Sequence, residues 1–295
     1  MSRFFLGLPA PAKLNLLLHI VGRRDDGYHE LQSVLVPVSL ADTLDFELRA
    51  DGSLERTGDV IGAVDGDLAL RAARLLKAES GTPLGASIAV EKRIPAGSGM
   101  GGGSSNAATT LLALNRLWNL HWPREQLAAL ALRLGADVPF FLGPGPAWVE
   151  GIGERVTPLA NELADQPRWA VIVHPQVHVS TTEIFSAPGL TRNSKPVTIR
   201  ALSEVLNHAG GAMSGGNDLQ AEVTRRAPRV QLALNILDEV LGHPGASRMT
   251  GSGSAVFAVL DEQNKAKNAV AVLARQPGLN SWAVRMLSEH PLAEW

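Results

Sequence analysis

The chain has no cysteine. Disulfides, thiolate nucleophiles and cysteine zinc sites are therefore excluded. It also has little net charge, −2 over 295 residues. Binders of nucleic acid or of membrane surfaces need a basic field, so neither class is expected. No apolar run is long enough to span a bilayer, and the apolar part of the opening MSRFFLGLPAPAK is too short for a secretory leader. A cytoplasmic protein is the expectation. Aromatic residues are scarce at 5%, with Tyr28 the single tyrosine. There is no internal repeat and no low-complexity tract. What remains is an ordinary globular composition, 45% hydrophobic and 19% charged, in a chain long enough for two domains.

Periodicity supplies the elements. In KLNLLLHIV, Leu14, Leu16, Leu18 and Ile20 alternate with Lys13, Asn15 and His19, the pattern of a strand with one polar face. Leu17 shares the polar face and suggests that it is partly covered. Two further strands follow over LQSVLVPVSL and DTLDFELRA, with Pro37 marking an edge or bulge. Residues 67–79 read as an amphipathic helix capped by Asp67. ASIAVEKRI is a strand that feeds a glycine loop, and a helix capped by Ser104 or Ser105 follows the loop. PREQLAALALRLG holds a helix with Pro123 at its start and Gly135 just past its end. The turn-rich GPGPAWVEGIGERVTP is the expected border between a domain of residues 1–154 and one of 155–295. The second half begins with the strand WAVIVHP. It continues with helices near 200–208, 216–226 and 230–241, a strand–turn–strand over RMTGSGSAVFAVL, a helix over 263–275 and a last strand, SWAVRML. Strands and helices in this mixture predict an α+β fold with mixed or antiparallel sheets.

The loop PAGSGMGGGSS places five glycines in the seven positions 97–103. Glycine allows positive φ and close approach to the backbone. A helix start adds unpaired N–H groups and partial positive charge, so strand, glycine loop and helix together predict a cradle for phosphate. No lysine follows the glycines as a Walker A loop requires. Gly97, Gly99 and Gly102 satisfy G-x-G-x-x-G, which keeps a nicotinamide-linked oxidoreductase as a second reading. That fingerprint wants an acid at the end of the next strand, and Glu125 instead opens a helix. A noncatalytic nucleotide sensor is a third reading.

Other constellations surround the loop. Asp137, in GADVPFF, sits past a helix end on a corner stiffened by Pro139, where a carboxylate can take a proton from a hydroxyl. Lys13 beside such an acid would keep it ionised and neutralise charge on a transferring phosphoryl group. The GSGS turn at 251–254 can close on the first loop. His174 and His178 lie four apart in a strand-like stretch, but without a third ligand they do not make a metal site.

PAKLNLLLHIVGRRDDGYHEL, PAGSGMGGGSSNAAT and TGSGSAVFA, in this order, resemble the GHMP kinases, and LGADVPFF strengthens the likeness. The resemblance spans nearly the whole chain. It implies a two-domain fold with the active site in the cleft between domains, and transfer of the γ-phosphoryl group of ATP to a small-molecule hydroxyl. It implies Lys13 and Asp137 as the catalytic pair. It wraps the phosphates with Pro95, Ala96, Gly97, Ser98, Gly99, Met100, Gly101, Gly102, Gly103, Ser104 and Ser105. Within the superfamily the motifs resemble the branch acting on a cytidine diphosphate polyol. That resemblance implies acceptor contacts at Asn15, Tyr28, His29, Asn106, Thr181 and Phe185, with the base stacked between Tyr28 and Phe185. Mg²⁺ is implied through the nucleotide, with Ser104 or Ser105 as a possible ligand and no metal cage from the protein. The partner implied is a small molecule, neither nucleic acid nor membrane, and the assembly a monomer or a homodimer. Asp67 stands where relatives often carry asparagine for adenine contact.

Overall fold

The computed structural model describes residues 3–159, 168–198 and 216–295. Strands β1 (Phe4–Arg23) and β2 (His29–Arg49) form a long antiparallel hairpin. On its other side β2 is paired in two stretches. Residues 31–35 meet β5 (Ala147–Gly151), and residues 43–49 meet β4 (Gly85–Glu91). Pro37 lies in the gap between the stretches, where its missing N–H leaves no ladder bond unmade. β3 (Leu54–Gly58) runs parallel to β4, and β6 (Arg155–Pro158) closes an antiparallel hairpin with β5. The border expected between residues 154 and 155 falls in the turn of that hairpin.

Helices α1 (Leu68–Ser80), α2 (Gly102–Leu117) and α3 (Arg124–Leu134) pack with this sheet around Phe46, Leu76, Ile88, Leu111 and Leu114. The Asp67 side chain caps α1 as expected, accepting from the Leu70 amide at 3.0 Å. A second sheet, ordered β10-β7-β9-β8, contains β7 (Trp169–His174), β8 (Arg248–Met249), β9 (Val256–Leu260) and β10 (Asn280–Arg285), all antiparallel. Helices α4 (Thr181–Phe185), α5 (Gln220–Arg226), α6 (Pro228–Leu241) and α7 (Gln263–Leu273) accompany it. The helix expected near 200–208 lies outside the described residues. The one expected over 216–226 begins only at Gln220. Asn217 bridges to Leu18 ahead of the helix, its side-chain amide donating to the carbonyls of Met249 and Gly251.

The single apolar face expected for residues 14–20 is split. The register of β1 slips between Asn15 and Leu17. Leu14, Leu16 and Leu17 enter a core shared with Ile172, Phe257 and Val284 of the second sheet, while Leu18 and Ile20 pack with Val171 and Val173. Each such leucine withdrawn from water contributes about 1.5–3 kcal/mol, which fixes the two domains to each other. Lys13 and Asn15 stay on the cleft side, whereas His19 does not line the cleft. No helix among the described residues is long and apolar enough to cross a membrane.

Candidate active site

A cleft of about 1410 Å³ opens between the two domains, lined from one side by Lys13, the glycine loop and Asp137 and from the other by Thr181, Phe185 and Gly251. Its floor is the loop between β4 and α2. Buried Asp42, which no sequence pattern singled out, anchors the loop's entry. Its Oδ1 accepts from the amides of Arg93 and Ile94 at 2.7 and 2.9 Å, and its Oδ2 from Lys92 Nζ. Gly97, Gly99 and Gly101 then adopt φ of 63°, 76° and 73°. Gly101 occupies the N-cap of α2 and supplies no side-chain cap. The helix therefore starts before Ser104 and Ser105, and the serines expected as caps lie inside it. Its first amides lack intrahelical partners and add their positive end to the cleft.

The second glycine turn seats directly on the first. The amides of Ser254 and Ala255 donate to the carbonyls of Gly97 and Ser98 at 3.2 and 3.1 Å. A Cβ at Gly99 would stand 2.3 Å from the Thr250 carbonyl oxygen. Gly99→Ala thus meets both a left-handed backbone, costing about 1–3 kcal/mol, and a backbone atom that cannot yield. We expect the variant to bind ATP at least about tenfold more weakly in calorimetry, the equivalent of 1.4 kcal/mol. Wild-type affinity would show that the two turns need not touch.

Lys13 is 2% exposed, and its Nζ lies 3.7 Å from Asp137 Oδ2 and 2.5 Å from Asn15 Oδ1. Burial lowers the Lys13 pKa, and the Asp137 charge and hydrogen bond work against that shift. Asn15 is tied into the protein by further bonds. Its Oδ1 also accepts from Thr250 Oγ1 at 3.1 Å, and its Nδ2 donates to Ser33 Oγ at 2.9 Å. It also holds Lys13 in place from the cleft wall. Asp137 follows α3 on a corner fixed by buried Val138, Phe140 and Phe141, with its side chain 41% exposed. Gly153 backs the corner, since a Cβ there would lie 2.5 Å from the Ala136 carbonyl oxygen.

The remaining expected residues divide. Pro95, Ala96, Gly97, Ser98, Gly99, Gly101, Gly102, Gly103, Ser104 and Asn106 line the cleft. Met100 and Ser105 do not. Met100 is in the core with its carbonyl accepting from the Lys13 amide, and the Ser105 hydroxyl is buried without a partner. Asn106 Oδ1 is also buried without a partner, one turn into α2. At the far end of the cleft Tyr28 is 62% exposed on the β1–β2 turn. His29 starts β2, its ring centroid 5.2 Å from that of Phe185. Thr181 Oγ1 meets Ser252 Oγ at 2.6 Å, tying α4 to the second glycine turn.

His174 is buried at the end of β7, and exposed His178 instead flanks Gly97, so the two histidines share no strand face. Asp67 is held by its cap to α1 and by Arg56 Nε at 3.1 Å. The oxidoreductase reading finds no support. The element after α2 is another helix, and β4 runs parallel to β3 but antiparallel to β2.

Residues 67–145 match the family described as GHMP kinases N terminal domain, and residues 199–278 match GHMP kinases C terminal. A curated protein of Methylibium petroleiphilum, 4-diphosphocytidyl-2-C-methyl-D-erythritol kinase, is 53% identical over 98% of this chain and 96% of its own length. One of the same name from Ralstonia nicotianae is 52% identical over 97% and 95%. The crystal structure of a 4-(cytidine 5'-diphospho)-2C-methyl-D-erythritol kinase, 36% identical, superposes with a TM-score of 0.79 over 96% of this chain and 98% of that one. At 13% identity, Methanococcus jannaschii mevalonate kinase shares the fold, with a TM-score of 0.69 over 97% and 99%.

Proposed function

The chain belongs to the GHMP kinases, and from that premise we propose that it phosphorylates the 2-hydroxyl of 4-diphosphocytidyl-2-C-methyl-D-erythritol at the expense of ATP, on the methylerythritol phosphate route to isoprenoid precursors. The observation that carries this reading is the Lys13–Asp137 pair, 3.7 Å apart beside an uncapped helix start. A cation paired with an acid next to a phosphate cradle suits transfer to an alcohol. It also argues against a mere sensor, which needs no base.

The residues present fit a nucleoside triphosphate. Left-handed glycines and bare α2 amides line the cleft, in a loop packed so closely that a Cβ at Gly97 or Gly99 would collide with His178 or the Thr250 carbonyl. ATP supplies the phosphoryl group, and Mg²⁺ offsets its charge. Among the described residues no three His, Cys, Asp or Glu converge on a point. We read Mg²⁺ as held through phosphate oxygens and water, with the Ser104 hydroxyl available as one ligand. Asp137 accepts the hydroxyl proton as the oxygen attacks. Lys13, tethered by Asn15 and 3.7 Å from Asp137, holds the acid in place and faces the charge that develops. Asn106, with an unpaired buried Oδ1, offers the acceptor a polar contact. The setting we read is cytoplasmic, with neither a membrane nor a nucleic acid as partner.

Phosphorus NMR of the protein with ATP, Mg²⁺ and the cytidine diphosphate acceptor tests the function: ADP and a new monophosphate signal must appear together. The same reading stacks the base on Tyr28. Tyr28→Ala then loses about 1–3 kcal/mol of stacking. The KM for the acceptor is expected to rise about 5- to 150-fold while the KM for ATP stays put. An unchanged acceptor KM would remove Tyr28 from the base site.

A further inference from the structure

No motif pointed to Arg192, yet it is the hub of the corner where His29 and Phe185 meet. Its Nε donates to His29 Nε2 at 3.0 Å. Its Nη1 donates to the Leu190 carbonyl at 3.1 Å, and its Nη2 to the carbonyls of Phe185 and Ala187 at 3.2 and 2.6 Å. A guanidinium only donates and stays protonated at any working pH. His29 Nε2 must therefore accept. In a neutral imidazole the ring proton then sits on Nδ1. The surroundings keep the ring neutral: burial first, then the charges of Arg192 and Arg23, lower its pKa. Among the described residues no group pairs with Nδ1, and His29 lines the cleft beside Tyr28.

We propose that Arg192 is a positioning residue that sets base specificity. By engaging Nε2 it fixes His29 as a donor through Nδ1, which selects a pyrimidine with an acceptor at ring position 3, cytosine, over one with a donor there, uracil. This rests on the reading that the cytidine end of the acceptor occupies this corner. Cytosine N3 carries a lone pair and uracil N3 a hydrogen. Two donors brought face to face in a half-buried site leave both unpaired, a loss of about 5- to 150-fold in affinity. Had Nε2 kept the proton, Nδ1 would accept and the preference would reverse. The choice between the two bases thus lies in a contact the base itself never makes.

The test separates this role from a simple tie on the loop at 185–190. With the ATP site saturated by a nonhydrolysable ATP analogue, calorimetry compares cytidine diphosphate with uridine diphosphate. Nitrogen-15 spectra of the same samples report the His29 tautomer. The wild-type protein is expected to prefer the cytidine ligand by about tenfold or more and to hold the proton on Nδ1. In Arg192→Gln the tautomer becomes mixed and the preference falls toward one. His29→Asn, whose amide donates from near the Nδ1 position, keeps the preference, and adding Arg192→Gln to it changes the ratio no further. Arg192→Gln that weakens both ligands equally with the tautomer intact overturns the proposal, as does a wild-type proton on Nε2. If Arg192→Gln fails to fold, the wild-type tautomer and a His29→Phe variant that retains the preference each still can. A wild-type protein indifferent to the base would instead overturn the cytidine reading on which the proposal stands.

Discussion

Asp137→Asn is expected to lower kcat by about 10²- to 10⁴-fold, the usual worth of a positioned general base, while ATP still binds. Asparagine matches the shape of the carboxylate, and the corner that carries it is fixed by buried Val138, Phe140 and Phe141 rather than by the acid itself. The phosphate cradle is built from other segments and loses no contact. A second consequence comes through Lys13. Of the influences on its ammonium, burial lowers the pKa and only Asp137 raises it. Without the acid nothing counters burial, so the ammonium loses its proton more readily and its positive charge weakens at the same site. Steady-state rates with calorimetric ATP binding decide the matter. A variant turning over within about threefold of wild type (under 1 kcal/mol of barrier) would mean that Asp137 is not the base.

The residues proposed for this chemistry stand out in the sequence because local rules mark them. Asp137 follows a helix end and precedes a proline, and Lys13 alternates with leucines on a strand. The glycine loop declares itself by composition. Local rules failed where the partner was distant. Ser104 and Ser105 have the chemistry of caps, but Gly101 already turns the chain into α2 with φ of 73°. The bare amides that result are what a phosphate needs, so the missing cap is a feature of the site. The split of the β1 face arises from a bulge against β2, which alternation within β1 cannot reveal. Asp42 and Arg192 look like ordinary surface residues in sequence. Each becomes an anchor only through backbone groups about 50 residues or a few residues away that the fold brings to it.

The largest contrast between stability and activity is expected at Lys13. Lys13→Met should lower kcat by about 10²- to 10³-fold, as removal of a transition-state donor does, yet should not lower the Tm. Lys13 is 2% exposed, so folding removes its ammonium from water, and its counter-ion Asp137 keeps 41% of its own exposure and compensates only in part. Replacing a whole buried ion pair by apolar chains is often neutral or stabilising by about 1–4 kcal/mol, and the penalty for removing one partner arises when the other is left buried, which the half-exposed Asp137 is not. Methionine follows the lysine stem past Phe141 and Gly101 and ends before the polar tip. Asp137 stays hydrated when its partner goes, and Asn15 Oδ1 still accepts from Thr250 Oγ1 at 3.1 Å. Little is therefore left unpaired by the change. Its cost falls on the reaction, where Nζ lies between the acid and Gly251, whose added Cβ would be 3.1 Å away, beside the ground where phosphoryl charge gathers. Thermal melts and rates on the same preparation separate the roles. A Tm well below wild type with turnover intact would make Lys13 a structural cation and remove it from catalysis.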